Sequence, residues 1–327
     1  TFGTKTSEKI ESFSIDDLSM ISLQQYKEYM QTSSPTLHYN KLSLEEFLNK
    51  VSVLIDGKLT YAGLLFFGKR DSINRYFIDF RVDLFEIPGT SISDAKVRYT
   101  YRLPEQENLW DYYFILFERL TMRIDKPFKL DSMGFAKEEY PYIDALREAL
   151  VNMLMHADYF SPVKSRIRIF TDKIEFFNAG GYPKPIEYFL NNDISMPRNP
   201  ILARLFRAVK LAENAGYGFD KMIEGWKTYS NFPIKFETDL DTSLTTFYFA
   251  TEQATEQATE QATGQAILKY CTQARSSNEI MEHLGLKHRE HFRSAILKPL
   301  IEKELLVLTI PDKSKSPNQK YKTKESY

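Results

Sequence analysis

Hydrophobic and polar positions divide the chain into stretches of different character. Between residues 40 and 250 the pattern switches repeatedly between helical and strand periods. Leu44 to Ile55 reads as a helix, with Ser43 three residues before Glu46 in capping-box spacing. Lys58 to Lys69 is an almost unbroken apolar run. Phe77 to Ile87 alternates as a strand (IDFRVDLFEI). Glu105–Ile124 and Pro141–Tyr159 have the 3.6-residue period of long helices. Arg166–Asn178 (RIRIFTDKIEFFN) predicts a hairpin turning at Thr171-Asp172-Lys173. Asn199–Val209 and Asp220–Tyr229 predict two more helices, and Pro233–Ala250 two closing strands (IKFETD, TTFYFA). The order is not a regular strand–helix repeat, so an α+β fold with an antiparallel-looking sheet is expected.

That pattern stops at Thr251. Residues 251–266 read TEQA-TEQA-TEQA-TGQA, with no large apolar side chain to bury. The segment is expected to be a linker, disordered or weakly helical; an ordinary surface helix is the alternative. Residues 267–327 form a small module. A helix begins at Ile267, a second follows Ser276 in capping-box spacing to Glu279 and ends at Gly285, and a third runs from Arg289 to Leu305. A strand (LLVLTI) and a basic hairpin-like tail follow. Residues 1–40 carry little signal.

Composition narrows the class. At 327 residues the chain is long enough for two or three domains. Aromatic residues at 14 % provide ample core, which argues against wholesale disorder. The 43 basic and 44 acidic residues nearly cancel, yet residues 264–327 hold twelve Lys and Arg against seven Asp and Glu. Cys271 stands alone, so neither an internal disulfide nor a cysteine-based zinc site is expected, and a reducing cytoplasm is the expected compartment. His283, His288 and His291 are not spaced with other ligands for a metal. No apolar run reaches transmembrane length and no signal peptide opens the chain, so no membrane partner is expected. The start at Thr1 rather than Met fits a missing upstream segment.

The candidate chemistry lies in ALREALVNMLMHADY, Ala145 to Tyr159. As a helix this segment is apolar around most of its circumference, except for one stripe at i, i+4 and i+8: Glu148, Asn152 and His156. A polar stripe on a buried helix must face partners or a cavity. Both a ligand site and a buried polar network fit that demand. Downstream, a strand runs into Asn178 with Gly180 and Gly181 close behind, Arg198-Asn199-Pro200 precedes a helix, and ENAGYGFDKM carries Gly216 and Gly218 at a helix start suited to phosphate. One decoy is excluded. Gly63 to Lys69 matches G-x-x-x-x-G-K, but Arg70 replaces Ser or Thr and the middle residues are bulky, so this is a buried element and not a phosphate loop.

In this order, the motifs resemble the ATP-binding boxes of the GHKL ATPases. They are most similar to a divergent bacterial branch of ATP-binding transcriptional regulators often labelled helicase-related. The resemblance runs over most of residues 40–250, including LTYAGLLFFGK at 59–69. It implies a GHKL/Bergerat-like α/β sandwich core at 136–250, an N-terminal mixed α/β region at 1–135 packed on that core, and an upstream Schlafen/AlbA-type domain. It also implies roles: Asn152 holding Mg2+ between ATP phosphates, Glu148 activating water, and Asn178 in place of the superfamily's adenine-reading Asp. Gly180 and Gly181 would lie against the nucleotide, Gly216 and Gly218 in a short phosphate lid, and His156 near the site where larger relatives carry an acid.

The C-terminal module matches a winged helix-turn-helix and resembles the C-terminal winged helix of some Fic-family proteins, without any Fic catalytic motif. Lys287, Arg289 and Arg293 would enter a major groove, and Lys313, Lys315, Lys320 and Lys322, with Lys324, would meet phosphate. The resulting expectation is a transcriptional regulator that binds double-stranded DNA and ATP with Mg2+, with a homodimer as the default assembly. A slow ATPase accessory to DNA processing and a protein-interaction scaffold with a degenerate nucleotide site are the competing readings. A helicase motor is excluded by the missing phosphate loop.

Overall fold

The computed structural model describes residues 5–124, 140–192, 194, 196–212, 218–249, 263–264, 266–285, 292–302, 305–310, 316 and 319–324. The chain forms two compact units, Thr1–Phe249 and Ala250–Tyr327, both of mixed α and β structure without a barrel among the described residues. Most of the repeat at 251–266, and with it the linker expectation, lies outside the described residues.

The first unit opens with helices α1 (Met20–Ser33) and α2 (Leu44–Lys50), the hairpin β1 (Leu54–Ile55) and β2 (Lys58–Leu59), and helices α3 (Tyr61–Phe67) and α4 (Arg70–Tyr76). The expected capping box at Ser43 and Glu46 is present, but α2 stops at Lys50 and not at Ile55. Ser52, Asp56 and Gly57 all take positive φ, and that left-handed backbone turns the chain into the hairpin. The decoy run is α3, capped by Thr60 and buried from Ala62 to Phe67; a Cβ on Gly63 would lie 2.7 Å from the Val53 carbonyl oxygen, so no phosphate can approach there.

Strands β3 (Asp83–Glu86) and β4 (Tyr101–Arg102) precede α5 (Leu109–Thr121) and α6 (Pro141–His156). The strand expected from Phe77 begins only at Asp83, because Asp79 at φ 62° breaks the alternation. Asn108 caps α5 through the Asp111 amide, which sets its start four residues later than the period predicted. After α6 come β5 (Arg166–Ile169), β6 (Lys173–Ala179), α7 (Ile186–Leu190), α8 (Pro200–Ala208), α9 (Gly218–Lys227), β7 (Lys235–Thr238) and β8 (Thr242–Tyr248). The hairpin at Thr171–Lys173 forms as its sequence predicts.

Six strands make one sheet in the order β4-β3-β5-β6-β8-β7, antiparallel except for β3 beside β5. Two of its strands thus come from before residue 135. Alternation divides the sheet: Leu84, Ile167, Ile169, Ile174, Phe176 and Phe247 are buried in the core with the helices, while Asp83, Phe85, Arg166, Arg168, Glu175 and Phe177 point the other way and are half-buried. A buried carboxylate, Glu86, is neutralised by ion pairs to Arg119 and Arg123.

In the second unit, a helical run at 266–270 leads to β9 (Arg275–Ser276) and α10 (Ser277–His283), whose Ser276–Glu279 capping box is present. Gly285 ends that helix at φ 64°. In place of one regular third helix, the structure shows a π-helical turn at Phe292–Leu297 running into α11 (Lys298–Glu302). Pro299 has no amide hydrogen to return to the preceding turn, and the ladder changes register there. Strands β10 (Leu306–Leu308) and β11 (Lys320–Thr323) complete a three-stranded antiparallel sheet ordered β10-β11-β9 over a small core around Ile280, Phe292 and Leu306.

Candidate functional site

Helix α6 carries the polar seam, and the seam opens onto a cavity. Ten of its sixteen residues, Glu148 among them, are buried. Asn152 donates from Nδ2 to Glu148 Oε1 at 3.2 Å, so the two polar residues are tied along the helix face. Helix α9 presses on the same face through glycines. A Cβ at Gly218 would lie 2.7 Å from Glu148 Oε1 and 3.3 Å from Asn152 Nδ2, and one at Gly225 would lie 2.5 Å from the Pro141 carbonyl oxygen. Glu148, Asn152, His156, Asn178 and Gly218 therefore line one cavity. Its volume is about 110 Å³, and it opens to the surface at a mouth.

The rest of the lining is mixed. Met153, Met155, Phe176 and Met222 supply an apolar wall, and Tyr182, Phe189 and Phe219 a cluster of rings 5.8–6.4 Å apart. Ser243 and Thr245 on β8 also line it, and neither was singled out by sequence. Their register explains their place: Asn178 pairs with Ser243 and Phe176 with Thr245, so all four residues share the inner face of the sheet. Alternation in TSLTTFYFA was the available signal, but it needs the strand pairing to be read.

Asn178 is buried and oriented by the protein. Its Oδ1 accepts from Ser165 Oγ at 2.5 Å and its Nδ2 donates to the Met153 carbonyl at 3.1 Å. One lone pair and one N–H stay available for a ligand. His156 is held neutral, its pKa lowered to about 4 by burial and by the nearby Arg198 charge. Burial also raises the Tyr182 phenol, and the Thr245 hydroxyl lies 3.3 Å from it.

The other sequence candidates fall elsewhere. Gly180 and Gly181 do not line the cavity. Gly180 sits at φ 96°, where a Cβ would lie 2.9 Å from the Arg198 guanidinium, and a Cβ on Gly181 would collide with the Asp239 carbonyl oxygen. The Arg-Asn-Pro motif caps α6: Arg198 Nε donates to the His156 carbonyl, Asn199 Nδ2 donates to those of Met155 and Ala157, and Thr6 donates to Asn199 Oδ1. Gly216 lies outside the described residues, as do Lys287, Arg289, Lys313 and Lys315. Arg293 is exposed in the π-helical turn; Lys320 and Lys322 alternate with buried Tyr321 along β11. Among the described residues no group of three or more His, Cys, Asp or Glu could hold a metal ion, and no helix is long and apolar enough to cross a membrane.

Three family profiles match parts of the chain. Residues 163–247 match "Putative ATP-dependent DNA helicase recG C-terminal", residues 265–323 match "Filamentation induced by cAMP protein Fic-like, C-terminal domain", and residues 1–83 match a domain of unknown function, DUF8451. A search of curated proteins found no match. Among solved structures, the DIP2311 protein from Corynebacterium diphtheriae aligns over 98 % of this chain with a TM-score of 0.59 at 18 % identity, a likeness of fold. A Fic family protein from Desulfovibrio desulfuricans G20 aligns over 94 % of this chain and 74 % of its own at 15 % identity, with a TM-score of 0.19 too low to support any argument. The chain spans 64 % of the length of the DIP2311 protein, and its residues 163–247 are similar to an ATPase-type domain.

Proposed function

We propose that this chain is a nucleotide-responsive transcriptional regulator that binds ATP in the cavity between α6, α9 and the inner sheet face, and double-stranded DNA through its second unit. One observation carries the nucleotide reading. Although Gly218 of α9 touches it, the Glu148–Asn152 seam is not sealed; it lines a cavity together with the buried, oriented Asn178. The apolar and aromatic wall suits a purine. The residues also fit a nucleotide-bound Mg2+. Glu148 occupies the amide nitrogen of Asn152, which leaves the carbonyl oxygen as the atom a hard cation would take. A shared magnesium needs few protein ligands, because phosphates and water complete its shell. When bound, the ion would neutralise phosphate charge. On this reading the core is a GHKL-type sandwich, Asn178 accepts from the adenine amino group, and Gly218 lets α9 come close enough to edge the phosphates.

The DNA reading draws support from the second unit's order of helix, strand, helix, helix and two strands, with a β10-β11-β9 sheet. That order is the one a winged helix requires. Arg293, Lys320 and Lys322 would then lie on the DNA side, together with basic residues outside the described set.

Isothermal titration with Mg-ATP checks the first half. Binding should be measurable for the intact chain and weaken at least tenfold in Asn152→Ala; no heat in either would overturn the reading. Turnover that disappears in Glu148→Ala while binding survives would move the assignment to a slow ATPase. A duplex DNA shift, repeated as salt rises, checks the second half. Three or four phosphate contacts give a log–log slope of about −3, and an absent shift removes DNA from the proposal.

A further inference from the structure

The outer face of the sheet carries more cation than its own carboxylates neutralise. A groove of about 330 Å³ runs over β4, β3 and β5, with Arg81, Arg98, Arg102 and Arg168 around Phe85 and Tyr99. One carboxylate, Asp83, lies within it, shared between Arg81 at 3.1 Å and Arg102 at 3.0 Å. Arg81 also pairs with Asp79. Arg168 has only a loose pair to Glu175, at 3.9 Å. Arg98 is exposed and makes no hydrogen bond, ion pair or ring contact among the described residues. Two residues along β5 from Arg168, Arg166 is half-buried with its Nε in no hydrogen bond; its guanidinium lies 3.9 Å from the centre of the Phe177 ring and, among the described residues, has no carboxylate in ion-pair range.

Rings and cations alternate across this face. Arg102 lies over Phe85 at 5.3 Å, Phe85 and Tyr99 have ring centres 5.6 Å apart, and Tyr99 is 42 % exposed. A lone anion would need one or two of these arginines. Arg166 and Arg168 stand about 6–7 Å apart along the strand, so the charge extends past the reach of a single phosphate. An exposed ring, Tyr99, beside half-buried Phe85 and among cations favours a ligand that offers flat base faces as well as charge, and a duplex hides those faces.

We propose that the outer sheet face over β4, β3 and β5 is a platform for single-stranded nucleic acid, with Arg98 and Arg168 taking phosphates and Tyr99 and Phe85 stacking bases. This surface belongs to the first unit and does not depend on the nucleotide cavity or on the basic residues of the second unit. The test uses the full chain and a fluorescein-labelled 15-nucleotide single-stranded DNA, followed by anisotropy. Arg98→Ala with Arg168→Ala should weaken binding at least tenfold and make the log-salt slope shallower by about 1.4, two single-strand contacts. Affinity for the matched duplex should change less than twofold. An abasic oligonucleotide of equal length should bind at least fivefold more weakly than the intact one, and Tyr99→Ala should remove most of that difference. Lys320→Ala with Lys322→Ala should leave oligonucleotide affinity unchanged. The proposal is overturned if the arginine variant binds within twofold of the parent, if single strand and duplex weaken together, if the abasic strand binds equally well, or if the lysine variant abolishes binding.

Discussion

The two faces of the six-stranded sheet are built from the same strands yet are held in opposite ways. On the inner face, Asn178, Ser243 and Thr245 sit among apolar residues, and every bond to Asn178 comes from its own chain. On the outer face, side chains one residue away in sequence carry full charges, and several arginines lack close carboxylates. The inner face orients its polar groups through protein partners because little water reaches them. On the outer face solvent stands in for exposed cations such as Arg98, while the buried Nε of Arg166 has no hydrogen bond. The difference shows where binding capacity lies: in a shaped cavity on one side, in surplus charge on the other.

The sharpest break of this comparison is on β6. Phe176→Ala, on the inner face, should cost about 3–5 kcal/mol in urea unfolding, the usual range for a buried ring. Phe177→Ala, its outward neighbour, should cost about 1 kcal/mol or less. Equal costs would mean that both faces are core. Next in size, Gly225→Val forces a side chain against the Pro141 carbonyl and should cost about 1–3 kcal/mol, while Gly218→Ala meets side-chain ends, those of Glu148 and Asn152, rather than backbone and should cost less.

A pH series sharpens the inner side further. The folded His156 pKa lies near 4, against 6.5 for the free side chain. The unfolded chain therefore binds this proton first, and the contribution of neutral His156 is present above pH 6.5 and lost as pH falls towards 4. The loss should be on the order of 1 kcal/mol by pH 5, discounted for the partial exposure of the ring, and His156→Phe should flatten it. The smallest effect belongs to the outer face: Arg166→Met should change stability by about 0.5 kcal/mol or less, since no carboxylate is left behind. A large loss there would show a structural role for this outward-facing cation.

Local signals were the legible ones. The capping boxes at Ser43 and Ser276 and the turn at Thr171–Lys173 depend on residues three or fewer apart, and all three are present. The seam of Glu148, Asn152 and His156 was also readable, because helical period alone places the three together. What it faces was not readable from period: Asn178 and Gly218 were reached only through the family resemblance, and Ser243 and Thr245, placed by strand register, were not reached at all. Gly180, Gly181 and Arg198-Asn199-Pro200 look like ligand motifs in sequence, but the glycines accommodate Arg198 and a neighbouring backbone, and the Arg-Asn pair closes the end of α6. In the basic module, half of the candidate contacts lie outside the described residues, and period could not foresee the π-helical turn.

The packing of Trp226 against the sheet has a practical consequence. It sits on α9 one residue beyond Gly225, its ring edge-on to Phe247 at 5.0 Å and its indole N–H donating to the Tyr248 carbonyl at 3.1 Å. The chain has only one other tryptophan, Trp110, embedded among Tyr26, Tyr29 and Phe114 of the helical layer. With Trp110 replaced by Phe, the emission spectrum would come from one indole on the very helix that edges the cavity. Any shift of that helix would be visible as a change in colour or quantum yield, without a label and in real time.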